Sequence, residues 1–135
     1  MIAYRSDLRP EPAIARELYV ASTLAERRPV DDDERFAAML ANANLVVTAW
    51  DGDLLVGISR ALSDFSYATY LSDLAVRTSH QRHGIGRELI RRTQADAPRA
   101  TLILLAAPAA ERYYPHIGFQ HHPQAWLLRT DDTLR

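Results

Sequence analysis

The chain has 135 residues, 47% hydrophobic and 24% charged, the proportions of one ordinary globular domain able to build its own core. A formal net charge of −1 argues against a dedicated nucleic-acid binder, which carries a basic excess on one face. There is no cysteine, so disulfides, thiolate metal sites and a Cys nucleophile are excluded. The first residues lack an apolar signal core, and no apolar run nears the roughly 18–20 residues that span a bilayer, so a cytoplasmic protein with no membrane partner is expected.

Residues 2–5 read as a short first strand, and Pro10 and Pro12 then punctuate the chain. Ile14, Leu18, Ala21 and Ala25 recur at helical spacing, predicting a helix from Ala13 to Arg27 that Pro29 stops. Asp31, Asp32, Asp33 and Glu34 suit a second helix start, where carboxylates meet the positive end of the dipole. Phe36, Met39, Leu40 and Ala43 carry its apolar face. Leu45 to Trp50 then reads as a strand, Asp51-Gly52-Asp53 as a hairpin turn, and Leu54 to Leu62 as the returning strand. Gly57 marks a bulge or a close approach within it. Thr69 to Val76 predicts another strand, residues 77–83 a polar loop, and Gly84 to Ala95 a helix with Ile85, Leu89 and Ile90 facing inward. Thr101 to Ala106, between Pro98 and Pro108, reads as a strand buried on both faces. Ala109 to His116 predicts a short helix stopped by Gly118, and Gln124 to Arg129 a last strand. The order β-α-α-β-β-β-α-β-α-β gives an α/β or α+β domain with a mixed sheet over residues 1–135, in which 69–106 forms a parallel β-loop-α-β unit.

The chemistry concentrates in Gln81-Arg82-His83-Gly84-Ile85-Gly86-Arg87, a glycine-containing loop between a strand and a helix. The first helical turn has unpaired N–H groups and a dipole that favours an anion. Gly84 and Gly86 leave the backbone open to a phosphate, and Arg82 and Arg87 add positive charge. A turn with a close helix–strand contact reads the same residues as structure alone. A P-loop is excluded, since no Gly-Lys-Ser/Thr follows, and a dinucleotide fingerprint lacks its third glycine.

Gln81-x-x-Gly84-x-Gly86 resembles the signature of the GNAT superfamily of N-acetyltransferases. Tyr70 to Val76 looks like that family's fourth strand, and Tyr113-Tyr114-Pro115-His116-Ile117-Gly118-Phe119 like its Tyr-x-x-x-Gly-Phe element. Together these cover residues 69–119. The resemblance implies a GNAT-like mixed, mostly antiparallel sheet with flanking helices and acetyl-CoA as co-substrate. It also implies a cofactor surface of Leu74, Ala75, Val76, Gln81, Arg82, His83, Gly84, Ile85, Gly86 and Arg87. The backbone of 82–87 would hold the pyrophosphate, and the backbone of Leu74 and Val76 the pantetheine arm. The Leu74 N–H would polarise the thioester carbonyl, and Tyr114 would protonate the departing thiolate. Asp73 would orient the amine, accept its proton through water, or pair with a neighbouring Arg. Its side chain is expected opposite those of Ser72 and Leu74. Ala107 stands where many relatives carry an Asn that contacts the pantetheine.

No His pair sits at i, i+4 with a nearby carboxylate, so no metal is expected. The reading is acetyl transfer to a primary amine, a small molecule, by direct attack in a ternary complex. A protein lysine or N-terminal acetyltransferase and a non-catalytic acyl-CoA-binding module are the alternatives. A homodimer follows from family habit alone.

Overall fold

Residues 45–50 and 55–61 set the architecture, because almost every side chain in both runs is buried. Runs of that kind need cover on both faces of a sheet. The computed structural model, which describes residues 1–135, divides into two units, Met1–Leu105 and Ala106–Arg135. In the first, a five-stranded sheet runs in the order β1 (Ile2–Arg5), β2 (Leu45–Asp51), β3 (Leu54–Ser63), β4 (Ala68–Val76) and β5 (Thr101–Ile103). Strands β1 to β4 are antiparallel to their neighbours, and β5 lies parallel to β4. Helices α1 (Pro12–Ala21) and α2 (Asp33–Asn42) cover one face, and α3 (Ile85–Asp96), the link from β4 to β5, covers the other. This is the expected mixed, mostly antiparallel sheet with one parallel β-loop-α-β unit.

Two apolar layers result. Leu18, Tyr19, Phe36, Leu40, Val46, Leu55 and Ile58 fill the α1/α2 side. Val47, Ala49, Val56, Ile85 and Leu89 fill the α3 side. Each buried Leu- or Ile-sized side chain contributes about 1.5–3 kcal/mol. Gly57 is the close approach foreseen: a Cβ there would stand 3.0 Å from Leu89 Cδ1 and 3.1 Å from Ile85 Cγ2. At α2 the acidic cluster caps the helix, with Asp32 Oδ1 accepting from Arg35 N–H at 3.1 Å and Asp33 and Glu34 in the first turn.

Four expectations change. The first helix ends at Ala21, because the Ser22 hydroxyl donates to Tyr19 O and Thr23 turns to φ +72°; a 3-10 turn, Leu24–Arg27, follows. Its buried stripe is Ala15, Leu18 and Tyr19, and Ile14 lies on the exposed side. Strand β5 has three residues, with Thr101 and Ile103 exposed, since it pairs only with β4 and forms the sheet edge. In the second unit, residues 109–116 split into a 3-10 turn, Pro108–Ala110, and α4 (Tyr113–His116), followed by Gly118 at φ +109°. Gln124–Arg129 forms no strand: no backbone ladder pairs with it and Trp126 is 89% exposed. An apolar run makes a strand only where a partner strand supplies hydrogen bonds. No helix of the chain is long and apolar enough to cross a membrane.

Candidate functional site

Strand β4 carries an open edge. Arg77 N–H donates to Val56 O at 2.8 Å, continuing the register in which Gly57 faces Val76, Ile58 faces Ala75 and Arg60 faces Asp73. Antiparallel pairs alternate between hydrogen-bonded and non-bonded. Ala75 and Asp73 therefore direct their backbone groups at β3, while Leu74 and Val76 direct theirs away from it. Strand β5 pairs with β4 only at Ala68, Thr69 and Tyr70. No strand meets the amides of Leu74 and Val76. The Val76 carbonyl is accordingly free to accept from Gln81 Nε2 at 3.0 Å.

The register shifts once along β4. Arg60 faces Asp73, but Ala61 faces Leu71, so Ser72 is an extra residue, a β-bulge. The bulge turns Ser72 and Asp73 to the same partner, contrary to the simple alternation expected of a strand. Arg60 Nε donates to Asp73 Oδ2 at 2.6 Å and its Nη2 to Ser72 Oγ at 2.8 Å. Arg28 Nε donates to Asp73 Oδ1 at 2.6 Å and its Nη2 to Ser72 O at 2.8 Å. Tyr19 Oη adds a bond to Asp73 Oδ2 at 2.7 Å. The Asp73 carboxylate is fully buried, and Arg60 is 7% exposed at its side chain. Burial alone would push the Asp73 carboxyl up, but the adjoining Arg60, with Tyr19 and Arg28, holds it below the usual carboxylate range. Burial, and then the charge of Asp73, raises the Tyr19 phenol. Of the three roles open to Asp73, pairing with arginine is the one its contacts display.

Beyond β4, Arg77 forks onto the Glu17 carboxylate at 2.7 and 2.5 Å and ties the strand end to α1. A 3-10 turn at Thr78–His80 follows. Its His80 reaches Asp51 Oδ2 at 2.9 Å, and the His80 ring shares a 2.8 Å hydrogen bond with Ser79 Oγ. Arg82 and Gly84 then take positive φ, +66° and +81°, and α3 begins. After Gln81, the first backbone amide with an acceptor inside the protein is Glu88 N–H, which donates to Gly84 O at 3.0 Å. The amides of Arg82 to Arg87 are thus unpaired at the positive end of a 12-residue helix. An added Cβ on Gly84 would meet nothing within 4 Å, so the loop surface is open there. Arg82 and Arg87 are exposed and join no ion pair. Ile85 is instead a core residue, buried with Leu89. The arrangement offers a row of donors suited to a pyrophosphate, continuous with an open strand edge suited to an extended amide-bearing arm.

In the second unit, Tyr114 is half-buried and makes edge-on contacts with Tyr113 and Phe119, at centroid distances of 5.3 and 5.4 Å. The Phe119 amide donates to Tyr114 O at 2.9 Å and the Ile117 amide at 3.2 Å, so the turn ending at Gly118 holds the ring. Burial raises the Tyr114 phenol, with Tyr113 adding to the shift. The group is a protonated phenol at neutral pH.

Sequence reasoning found the edge strand, the loop and the helix start, and missed Arg28, Arg60 and Tyr19. One signal for them existed: Arg60 interrupts the apolar run Val56–Leu62, and a charge inside a buried strand requires a partner.

A family description, an acetyltransferase (GNAT) domain, matches residues 19–126. A GNAT-family acetyltransferase protein from Streptococcus pneumoniae TIGR4 superposes with a TM-score of 0.75 at 23% identity, covering 96% of this chain and 99% of its own. Aminoglycoside N-acetyltransferase AAC(6')-Iy, solved in complex with CoA, gives 0.74 at 16% identity, covering 97% and 95%. A predicted acetyltransferase from Clostridium acetobutylicum, solved with acetyl-CoA, gives 0.73 at 15%, covering 96% of each chain. With that family description matched over residues 19–126, most of the chain, the chain belongs to the GNAT family of acetyltransferases.

Proposed function

We propose that the protein transfers an acetyl group from acetyl-CoA to a primary amine of a small molecule, by direct attack within a ternary complex. The observation that carries this is the continuity of two sets of unpaired amides, Leu74 and Val76 on the β4 edge and Arg82 to Arg87 at the start of α3. The second set, with Arg82 and Arg87, holds the pyrophosphate. The first pairs with the pantetheine arm as an added strand would, with Ala75 between them bonded to β3 and Gln81 and His83 shaping the turn. The Leu74 N–H donates to the thioester oxygen and stabilises the charge that grows there as the amine attacks, a contribution of about 3 kcal/mol. The C–S bond breaks, and Tyr114 Oη protonates the departing thiolate. CoA complexes of structural neighbours support this donor, and the aminoglycoside acceptor of one supports a small-molecule amine. Asp73, with both oxygens bonded to arginine, acts on the geometry of β4; the amine's proton passes to water.

Calorimetry with acetyl-CoA, together with thiol release across polyamines, aminoglycosides, amino acids, aryl amines and short peptides, tests the proposal. Binding with release on a small amine is expected. Release on peptides alone would transfer the activity to protein amines, and absence of acetyl-CoA binding would refute the reading.

A further inference from the structure

We infer that Arg28, Arg60 and Tyr19, acting through Asp73 and Ser72, are positioning residues that select Leu74 as the donor at the open edge of β4. The inference rests on the role proposed above for the Leu74 amide. It follows from counting along the strand. Asp64 N–H donates to Ala68 O, Ser63 faces Thr69 and Ala61 faces Leu71. In that half of β4 the odd-numbered residues, Thr69 and Leu71, turn their backbone groups away from β3, and Thr69 lies opposite Leu102 of β5. An unbroken ladder would continue with Asp73 and Ala75. The extra residue Ser72 moves the series to Leu74 and Val76, and the same slip sends their side chains toward Ile85 and Leu89.

A bulge of this kind leaves its extra residue unpaired and interrupts the ladder. Two guanidinium forks hold it. Arg28 spans Asp73 Oδ1 and the Ser72 carbonyl, while Arg60 spans Asp73 Oδ2 and the Ser72 hydroxyl. Tyr19 fixes the carboxylate from α1, and Arg60 Nη1 donates to Met39 O of α2 at 3.1 Å. Each fork grips two consecutive residues of the bulge, a planar two-point contact that an ammonium group does not reproduce. Tyr19 of α1, Arg28 after the 3-10 turn and Arg60 of β3 thereby hold the phase of the open edge from the α1/α2 side of the sheet.

The test uses the full chain with acetyl-CoA labelled with carbon-13 at the carbonyl and reads its infrared stretch when bound. In the wild type the stretch lies below its value in free solution, as a hydrogen bond to the carbonyl requires. Arg28→Lys keeps the charge and removes the fork. It is expected to bind acetyl-CoA more weakly, since the Leu74 and Val76 amides proposed to meet the pantetheine arm shift with the bulge. At saturating acetyl-CoA it is expected to lose most of the downshift and release thiol about 10²-fold more slowly, the loss of one oxyanion donor. Ser72→Ala, which leaves every ion pair of Asp73 in place, gives the same readout should the lysine variant fail to fold, with a smaller loss of downshift. Variants that fold, bind and keep the full downshift overturn the inference and leave the proposed function standing. A wild type that binds acetyl-CoA at the free-solution frequency overturns the role of Leu74 and the inference with it.

Discussion

Replacing Asp73 by Asn removes one charge from the centre of the α1/α2 side of the sheet and almost no volume. The wild-type carboxylate is fully buried between Arg60, 7% exposed, and Arg28, 24% exposed. Removing one partner of a buried ion pair costs about 3–5 kcal/mol, because the charge left behind has lost its water without compensation. Arg28 keeps part of its hydration and Tyr19 Oη can still donate to the Asn carbonyl, which places the loss at the lower end, about 3 kcal/mol. With an unfolding entropy of about 2.1 cal/mol/K per residue, 135 residues give about 0.28 kcal/mol per kelvin, so the melting temperature should fall by about 11 °C. The difference depends on pH. The folded-state pKa of Asp73 is lowered, so its contribution is complete above the unfolded value near 3.9 and drains away as pH falls through the lower folded value. Urea unfolding of both proteins from neutral pH downward should therefore show a constant gap that closes only below about pH 4. A gap under about 1 kcal/mol at neutral pH, or one that persists undiminished in acid, would refute the account of Asp73 as the counter-ion of two buried guanidiniums.

Three further outcomes follow from the same geometry. Gly57→Val drives a branched Cβ against Leu89 and Ile85, already 3.0 and 3.1 Å from where a single Cβ would sit, and should cost about 1–3 kcal/mol in urea unfolding. Gly84→Ala meets no neighbour but must hold φ at +81°, so stability should fall by about 1–2 kcal/mol and calorimetry should show weaker CoA binding than in the wild type. Tyr114→Phe should lower turnover by about 10²-fold or more with acetyl-CoA affinity unchanged. Because burial raises that phenol, the wild-type rate should persist through the alkaline range and decline only above about pH 10, and the Phe variant should lack this limb.

Most of the first unit could be read locally. The hairpin at Gly52, the cap at Asp32, the burial of Ile85 and Leu89 and the close approach at Gly57 each rest on a signal a few residues long. The errors arose where a distant partner decides. Thr101–Ala106 is as apolar as a central strand, yet it forms a three-residue edge because only β4 lies beside it. Gln124–Arg129 carries an apolar run, Ala125 to Leu128, and meets no ladder. The first helix is the exception, decided locally: Ala13–Arg27 keeps its helical period through Ala25, but the Ser22 hydroxyl on Tyr19 O and the positive φ of Thr23 end the helix at Ala21. The Asp73 cluster draws on positions 19, 28, 60 and 73, and no window of neighbouring residues contains it.

The donor-binding surface proposed for this chain consists of backbone amides, a kind of site that leaves little trace in side-chain chemistry. What the sequence records is the set of residues that permit the backbone its shape. Gly84 allows a positive φ at the helix start; Gln81 turns back to the Val76 carbonyl; Ser72 is one residue too many in β4. The first two residues lie within the loop motif and were singled out there, though not for these contacts. The third has no motif, because a bulge is defined by the strand opposite and by what grips it. Its visible correlate is a pair of unusual placements, an aspartate and an arginine inside apolar strands, facing each other in register at Asp73 and Arg60. A buried ion pair is weak evidence of stabilisation, since well-packed apolar residues often serve as well. At this position it specifies something apolar packing cannot: which of two alternating sets of amides faces the open edge. That gives the cluster a testable signature, since an apolar replacement of Arg28, Arg60 and Asp73 together, with Tyr19→Phe, should recover the stability that Asp73→Asn loses and still lose the carbonyl downshift.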